Sequence, residues 1–248
     1  MNNLPKLNLL SSVIRLSVCL TIFASFIGVS FIPNVLAENQ NTEQLKQRWR
    51  KLFTSSEPQR RGQEGGGKGE SFCAVAPDKI SEVEQVLNER PIFTWTGNIV
   101  KVEIREKGNE TVVWSQEISA KNQVNLNFQT ASSTPFKLSQ VAVEKPLKPN
   151  QIYELQVFTR MPTEYRPILF KIMTPEERNN ITQGLQNLQQ ELAAKNITGE
   201  AAILQRSDYF ARQQLWSEFW QEVLSIESPS EELKALINDT VNQLCFEY

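Results

Sequence analysis

The hydrophobic period of this chain changes once, at Thr174, and that change constrains the architecture more than any other feature. From Phe72 to Met173, apolar and polar residues alternate in short runs separated by turn residues, the pattern of antiparallel strands with one buried face. Seven candidate strands follow, at residues 92–95, 100–104, 112–114, 124–128, 141–143, 153–157 and 168–172. Lys107-Gly108-Asn109 has the turn chemistry of a hairpin between the second and third.

After Thr174 the apolar residues recur every three or four positions. Thr174-Pro175-Glu176-Glu177 supplies a capping hydroxyl, a proline at the first helical position and a glutamate three residues on. The spacing predicts a helix with Ile181, Leu185, Leu188 and Leu192 on its buried stripe, stopping near Asn196. A second helix is expected over 199–213 and a third over 215–226, the latter with a broad face of Leu215, Trp216, Phe219, Trp220, Val223 and Leu224. Ser228-Pro229-Ser230-Glu231 repeats the capping chemistry, and Leu233, Leu236, Ile237, Val241 and Leu244 continue a fourth helix to Cys245. The expected class is therefore α+β, with a β-sandwich domain at 71–173 followed by a helical domain at 174–248.

Two local features refine the sandwich. Trp95 is a core-type tryptophan on the first strand, and Leu147-Lys148-Pro149-Asn150-Gln151-Ile152-Tyr153 has the form of a tyrosine corner, in which a Tyr hydroxyl bonds back to the preceding backbone. Together they point to an antiparallel sandwich of immunoglobulin or fibronectin type III kind, with Trp95, Pro149 and Tyr153 in structural roles. In the tail, the alanine-rich second helix and the third helix, with Trp216 after a short break, resemble one tetratricopeptide-type hairpin. A single such unit cannot form a repeat array.

The other end of the chain reads as an address. Lys6 and Arg15 precede a long apolar run from Leu16 to Ile32, Pro33 breaks it, and Val35-Leu36-Ala37 offers small residues to a signal peptidase. Residues 1–37 are expected to be a signal peptide; left uncleaved, the same run is nearly long enough to anchor the chain in a membrane. Residues 38–70 are polar and end in a Gly65-Gly66-Gly67 stretch, and they read as a flexible tether. Within it, residues 42–53 have Leu45, Trp49, Leu52 and Phe53 on one helical face. That face suits either a surface-binding helix or a segment that is disordered or leans on the folded domain.

Removing residues 1–37 takes away Lys6 and Arg15 and no acid, leaving 24 basic against 28 acidic residues. A mildly acidic body argues against a nucleic-acid partner. The chain has no histidine, which excludes Ser-His-Asp and Cys-His catalysis and histidine-ligated metal sites. No cofactor is implied. Glu176/Glu177 and Glu231/Glu232 are acid pairs, but both fall in first helical turns, where capping and the helix dipole account for them. Cys73 and Cys245 are the cysteines outside the signal, and in an oxidising compartment an even count reads as a disulfide. The aromatic loop carrying Tyr165 and Arg166, between the last two strands, is the expected exposed binding loop.

The ordered series Arg61, Gly65-Gly66-Gly67, Cys73, Glu89-Arg90-Pro91-Ile92-Phe93-Thr94-Trp95, Pro146-Leu147-Lys148-Pro149, Tyr153, Phe210-Ala211 and Leu215-Trp216-Ser217-Glu218 resembles a family of exported cyanobacterial proteins known only as a domain of unknown function. The resemblance spans about residues 60–226. It implies a β-sandwich followed by helices, an extracytoplasmic location and no assigned activity. That family carries a cysteine after its tyrosine-bearing strand, whereas residues 157–161 here contain none.

The expected role is a non-enzymatic exported module of the cell envelope, binding an envelope protein or polysaccharide. Two alternatives stand beside it. One is a carboxylate-dependent glycan hydrolase, which requires a groove with two inward carboxylates and solvent-facing aromatics. The other is a structural partner of another envelope protein, using the 42–53 helix or the helical tail, to which an exposed apolar patch over 215–224 would point.

Overall fold

A computed structural model describes residues 44, 45, 47–49, 51, 72–77, 82–119, 124–128, 136–160 and 167–245, with the backbone alone at 124, 125, 127, 128 and 136. The signal peptide expected at 1–37, most of the tether and the Tyr165/Arg166 loop lie outside the described residues. Among those described, the protein is mixed α and β, with two sheets followed by C-terminal helices.

The strands are β1 (Cys73–Ala76), β2 (Glu84–Val86), β3 (Ile92–Thr96), β4 (Lys101–Glu106), β5 (Val112–Glu117), β6 (Val124–Phe128), β7 (Phe136–Ala142), β8 (Ile152–Phe158) and β9 (Ile168–Ile172). One sheet has the order β1-β3-β7-β6 and the other β2-β9-β8-β4-β5. Pairing is antiparallel except between β2 and β9, which run parallel with Glu84 opposite Phe170. Alternation along β4 sends Val102 and Ile104 inward, while Lys101, Glu103 and Arg105 lie on the other face and form ion pairs.

Inward residues of both sheets meet in one core. Phe93, Trp95 and Val141 come from the first sheet, and Ile104, Tyr153, Leu155 and Phe170 from the second. Phe93 and Trp95 stack at 4.9 Å, and Tyr153 and Phe170 at 5.6 Å.

The helices are α2 (Pro175–Ala194), α3 (Gly199–Arg212), α4 (Trp216–Leu224) and α5 (Glu231–Cys245), preceded by helical residues 44, 45, 47–49 and 51, here α1. The Thr174 hydroxyl accepts the Glu177 N–H while the Glu177 carboxylate accepts the Thr174 N–H, a reciprocal capping box. Those bonds hold the Glu177 carboxyl below its ordinary pKa, the Thr174 N–H first among them. Asn196, at φ 54°, ends α2: its N–H bonds to Ala193 O and that of Ile197 to Leu192 O, the paired bonds of a Schellman stop. Only Leu192 of the predicted stripe is fully buried; Ile181 and Leu185 are half-buried against the helical core.

The helical core is not confined to the helices. Leu45 and Trp49 of α1, Val75 and Ala76 of β1 and Leu138 of β7 join Phe210, Trp216, Phe219, Trp220, Leu236, Ile237 and Val241 in a second cluster. Trp49 is 1% exposed and meets Phe219 edge-on at 4.7 Å. Leu45 and Trp49 are thus core residues, and of the readings given for 42–53 these two fit a segment that leans on the folded domain. The β1-β3-β7-β6 sheet is covered on both faces, by the other sheet on one side and by helices on the other. The boundary drawn at 173/174 marks a change of period, not a gap between cores.

Candidate functional site

The Cys73–Cys245 disulfide is formed and joins β1 to the last residue of α5. The bridge closes a loop of 172 residues. In the chain-entropy account such a loop restricts the unfolded state by about 5 kcal/mol. β1 alternation explains the location: Phe72 and Ala74 pack into the sandwich core, while Cys73 and Val75 fall on the face toward the helices.

The tryptophans of the expected strands and of the expected third helix lie inside. Trp95 and Trp114 are in the sandwich core; Trp216 and Trp220 are in the helical core. The Tyr153 hydroxyl accepts the Lys148 N–H at 2.8 Å, and burial raises its pKa. Pro149 precedes Asn150, whose φ of 62° turns the chain into β8. The surface expected for a structural partner at 215–224 is not an open patch, because Leu215, Trp216, Phe219, Trp220 and Val223 are all buried.

Among the described residues, a concave and polar part of the molecule lies at the seam between β2 with its following turn and the helices. Two buried carboxylates cross it in opposite directions. Glu84, on β2 and fully buried, accepts the Ser217 N–H at 2.8 Å and its hydroxyl at 2.7 Å, so a strand residue caps the start of α4. Glu218, 5% exposed, accepts the N–H groups of Leu87 at 2.7 Å and Asn88 at 3.2 Å through Oε1. Burial pushes the Glu218 carboxyl up to about 7, against the pull of those backbone bonds.

Two cavities open on this seam and share Leu87 and Asn88. The larger, about 580 Å³, is lined by Arg90, Arg178, Asn179 and Thr182 among others. The Arg178 guanidinium is bound to Glu89 at 2.6 Å, while its buried Nε has no partner among the described residues. The smaller cavity, about 320 Å³, is lined by Leu87, Phe210, Glu218, Gln221 and Glu222 among others. Glu222 is held by Arg206 at 2.9 Å. Glu218 Oε2 and Gln221 Nε2 are buried and have no partner among the described residues. Among the described residues there is also no cluster of acids or cysteines suited to a metal ion.

Sequence reasoning missed Glu84, Glu218 and Gln221. Glu218 and Gln221 fall on the polar side of the 215–224 helix, opposite its apolar face, where a solvated acid is the ordinary reading, so helical period gave no signal for their burial.

Fold and seam define an α+β protein of two packed sheets followed by helices, with a polar groove where they meet. No protein-family model matches the chain, and no curated protein does. Among solved structures there is a likeness to Astrotactin-2, described as a conserved vertebrate-specific and perforin-like membrane protein involved in neuronal development, at 11% identity and a TM-score of 0.25. It covers 64% of this chain and 34% of that one, so the chain spans about a third of that protein's length. Likeness at that level carries no argument. Among the described residues no helix is long and apolar enough to cross a membrane.

Proposed function

We propose that this protein is an exported, non-catalytic binding module of the cell envelope, built on an immunoglobulin-type sandwich and braced by its helices. The strand orders β1-β3-β7-β6 and β9-β8-β4-β5 correspond to the A-B-E-D and G-F-C-C′ arrangement of such sandwiches. The bond from Lys148 to Tyr153 lies where the tyrosine corner of that fold belongs, at the start of β8. Export is supported by the signal-like first 37 residues and is compatible with the disulfide. The ordered motifs of the exported cyanobacterial family agree with this reading.

The observation that carries the binding assignment is the seam groove, where Glu84, Glu89, Arg178, Glu218 and Glu222 are engaged in holding the groove's own walls. A glycan hydrolase is the second reading, favoured by the Glu218 carboxyl titrating near neutrality beside Glu222. It is the weaker one. Glycoside hydrolysis needs carboxyls on opposite sides of the scissile bond, and Glu218 and Glu222 project from one helix one turn apart. Glu222 is also neutralised by Arg206, and the tryptophans that would form sugar subsites are turned inward.

The test uses the chain from residue 38 onward, incubated with isolated envelope sacculi and exopolysaccharide and then sedimented. Retention in the pellet without release of reducing ends is the expected result. A soluble protein in every fraction overturns the binding assignment, and release of reducing ends overturns the non-catalytic one.

A further inference from the structure

The turn that leaves β2 is held at each residue from Leu87 to Arg90, yet it presents one charged side chain that holds nothing. The Leu87 and Asn88 N–H groups bond to Glu218 Oε1, and the Glu89 carbonyl accepts the Leu147 N–H at 2.8 Å. The Arg90 N–H bonds to Asn88 Oδ1 at 2.9 Å, and the Glu89 carboxylate is tied to Arg178. Arg90 itself is exposed, and its guanidinium has no ion-pair or hydrogen-bond partner among the described residues. A turn fixed this closely sets the base of that side chain in place before any ligand arrives.

Arg90 lines the cavity of about 580 Å³, between this turn and the first turns of α2. Glu89 is the one acid in that lining and its charge is met by Arg178, so the cavity keeps the positive charge of Arg90 on a chain of net charge −2. A concave wall focuses the field of such a charge. Asn88, Asn179 and Thr182 are exposed and line the same cavity. Asn88 keeps its amide N–H groups, and the side chains of Asn179 and Thr182 have no hydrogen-bond partner among the described residues. Pro146 and Pro175 add apolar surface.

We propose that this cavity binds a uronic-acid residue of an acidic polysaccharide, with the sugar carboxylate on the Arg90 guanidinium. One unpaired guanidinium matches one planar, singly charged carboxylate through two parallel N–H bonds. A phosphate monoester would bring up to about two negative charges to the one cation. The sugar hydroxyls meet the amides of Asn88 and Asn179 and the Thr182 hydroxyl, and a C–H face of the ring rests on the prolines. A lining so rich in side-chain hydrogen-bonding groups favours a glycan over an acidic peptide. The inference rests on the binding-module reading and specifies its ligand.

The experiment is titration of the chain from residue 38 onward with digalacturonate, read by calorimetry and by the NMR shifts of the Arg90 Nε–H and the Asn88 side-chain amide. Saturable binding that moves both signals and weakens as salt is raised is expected. The neutral digalactose of the same linkage, with a hydroxymethyl in place of each carboxylate, is expected to bind at least about tenfold more weakly. Arg90→Gln removes the charge and is expected to lose about tenfold or more in affinity. Arg90→Lys keeps the charge without the fork and is expected to fall between that variant and the parent. Because the Arg90 guanidinium bonds to none of the described residues, both variants are expected to melt as the parent does.

Absence of saturable binding overturns the inference. So do equal binding of the neutral disaccharide and an Arg90→Gln variant that binds as the parent does. Tighter binding of a galactose sulfate than of galacturonate overturns the carboxylate assignment, and tighter binding of diglutamate than of digalacturonate overturns the glycan one. Retention on envelope sacculi or exopolysaccharide without digalacturonate binding sinks this site alone; loss of both sinks the module reading as well.

Discussion

The two cores of this protein are built in different ways. The sandwich core comes almost wholly from strands between residues 72 and 173, each giving alternate residues to one interior. The buried residues of the helical core come from five separated parts of the chain: α1, the outer face of β1, Leu138 of β7, Met173, and α3 to α5. The first is legible from period alone, because alternation states which residues face in. The second is legible only in part, since α1 and the strands it uses meet the helices through tertiary contact. Its long-range closure is secured by the bond from Cys73 to Cys245, and its contact with the sandwich by the Glu84 and Glu218 anchors.

Cutting the long-range closure is expected to have the largest effect. Cys73→Ser with Cys245→Ser, or reduction, should lower stability by up to about 5 kcal/mol and lower the denaturant midpoint accordingly. Next come the cores themselves. Trp95→Ala in the sandwich and Phe219→Ala in the helical core should each cost about 3–5 kcal/mol. If the shared sheet makes the cores one cooperative unit, either substitution lowers hydrogen-exchange protection in both halves. Protection lost in one half alone would break the two cores apart.

Glu218 sharpens the comparison at the seam. Its folded pKa, about 7, is raised above the ordinary carboxyl value of 4.5, so the folded state favours the protonated form. The stability it contributes is complete below about pH 4.5 and is lost as pH rises through about 7, a change of about 3 kcal/mol in all. Unfolding curves from pH 4.5 to 8.5 should show this slope, and Glu218→Gln should flatten it. An unchanged slope in the variant would assign the pH dependence elsewhere. Removing the Tyr153 hydroxyl as Phe should cost about 1–2 kcal/mol, because the buried Lys148 N–H loses its acceptor. Smallest is Thr174→Ala, expected to lower thermal stability by about 1 kcal/mol through the lost helix cap.

Particular residues show why reading stopped where it did. β4, β8 and β9 were visible because Val102/Ile104, Tyr153/Leu155/Val157 and Ile168/Phe170/Ile172 alternate with residues that face away. β1 was not, because a four-residue strand buried toward two different cores has no polar face to mark its period. β2 has three residues, one of them a buried glutamate whose partners lie 133 positions away. β7 begins at Phe136 and not at 141, its early residues pairing with β6. The expected exposed loop at Tyr165 and Arg166 lies outside the described residues, and the seam residues took the place of the candidate site.

By itself the sequence determined the α+β class, the change of period at Thr174, the capping at Thr174 and the pairing of the two cysteines; the second cap falls on Ser230, whose hydroxyl accepts the Leu233 N–H, and not on Ser228 as a repeat of the Thr174 pattern has it. These rest on local spacing, local hydrogen bonds or a simple count. Tertiary structure decided that one sheet is buried on both faces, that α1 belongs to the helical core and that Glu84 and Glu218 exchange bonds across a groove. The physical reason is that desolvation and hydrogen bonding at a seam depend on which distant surfaces meet, and a one-dimensional period carries no information about that.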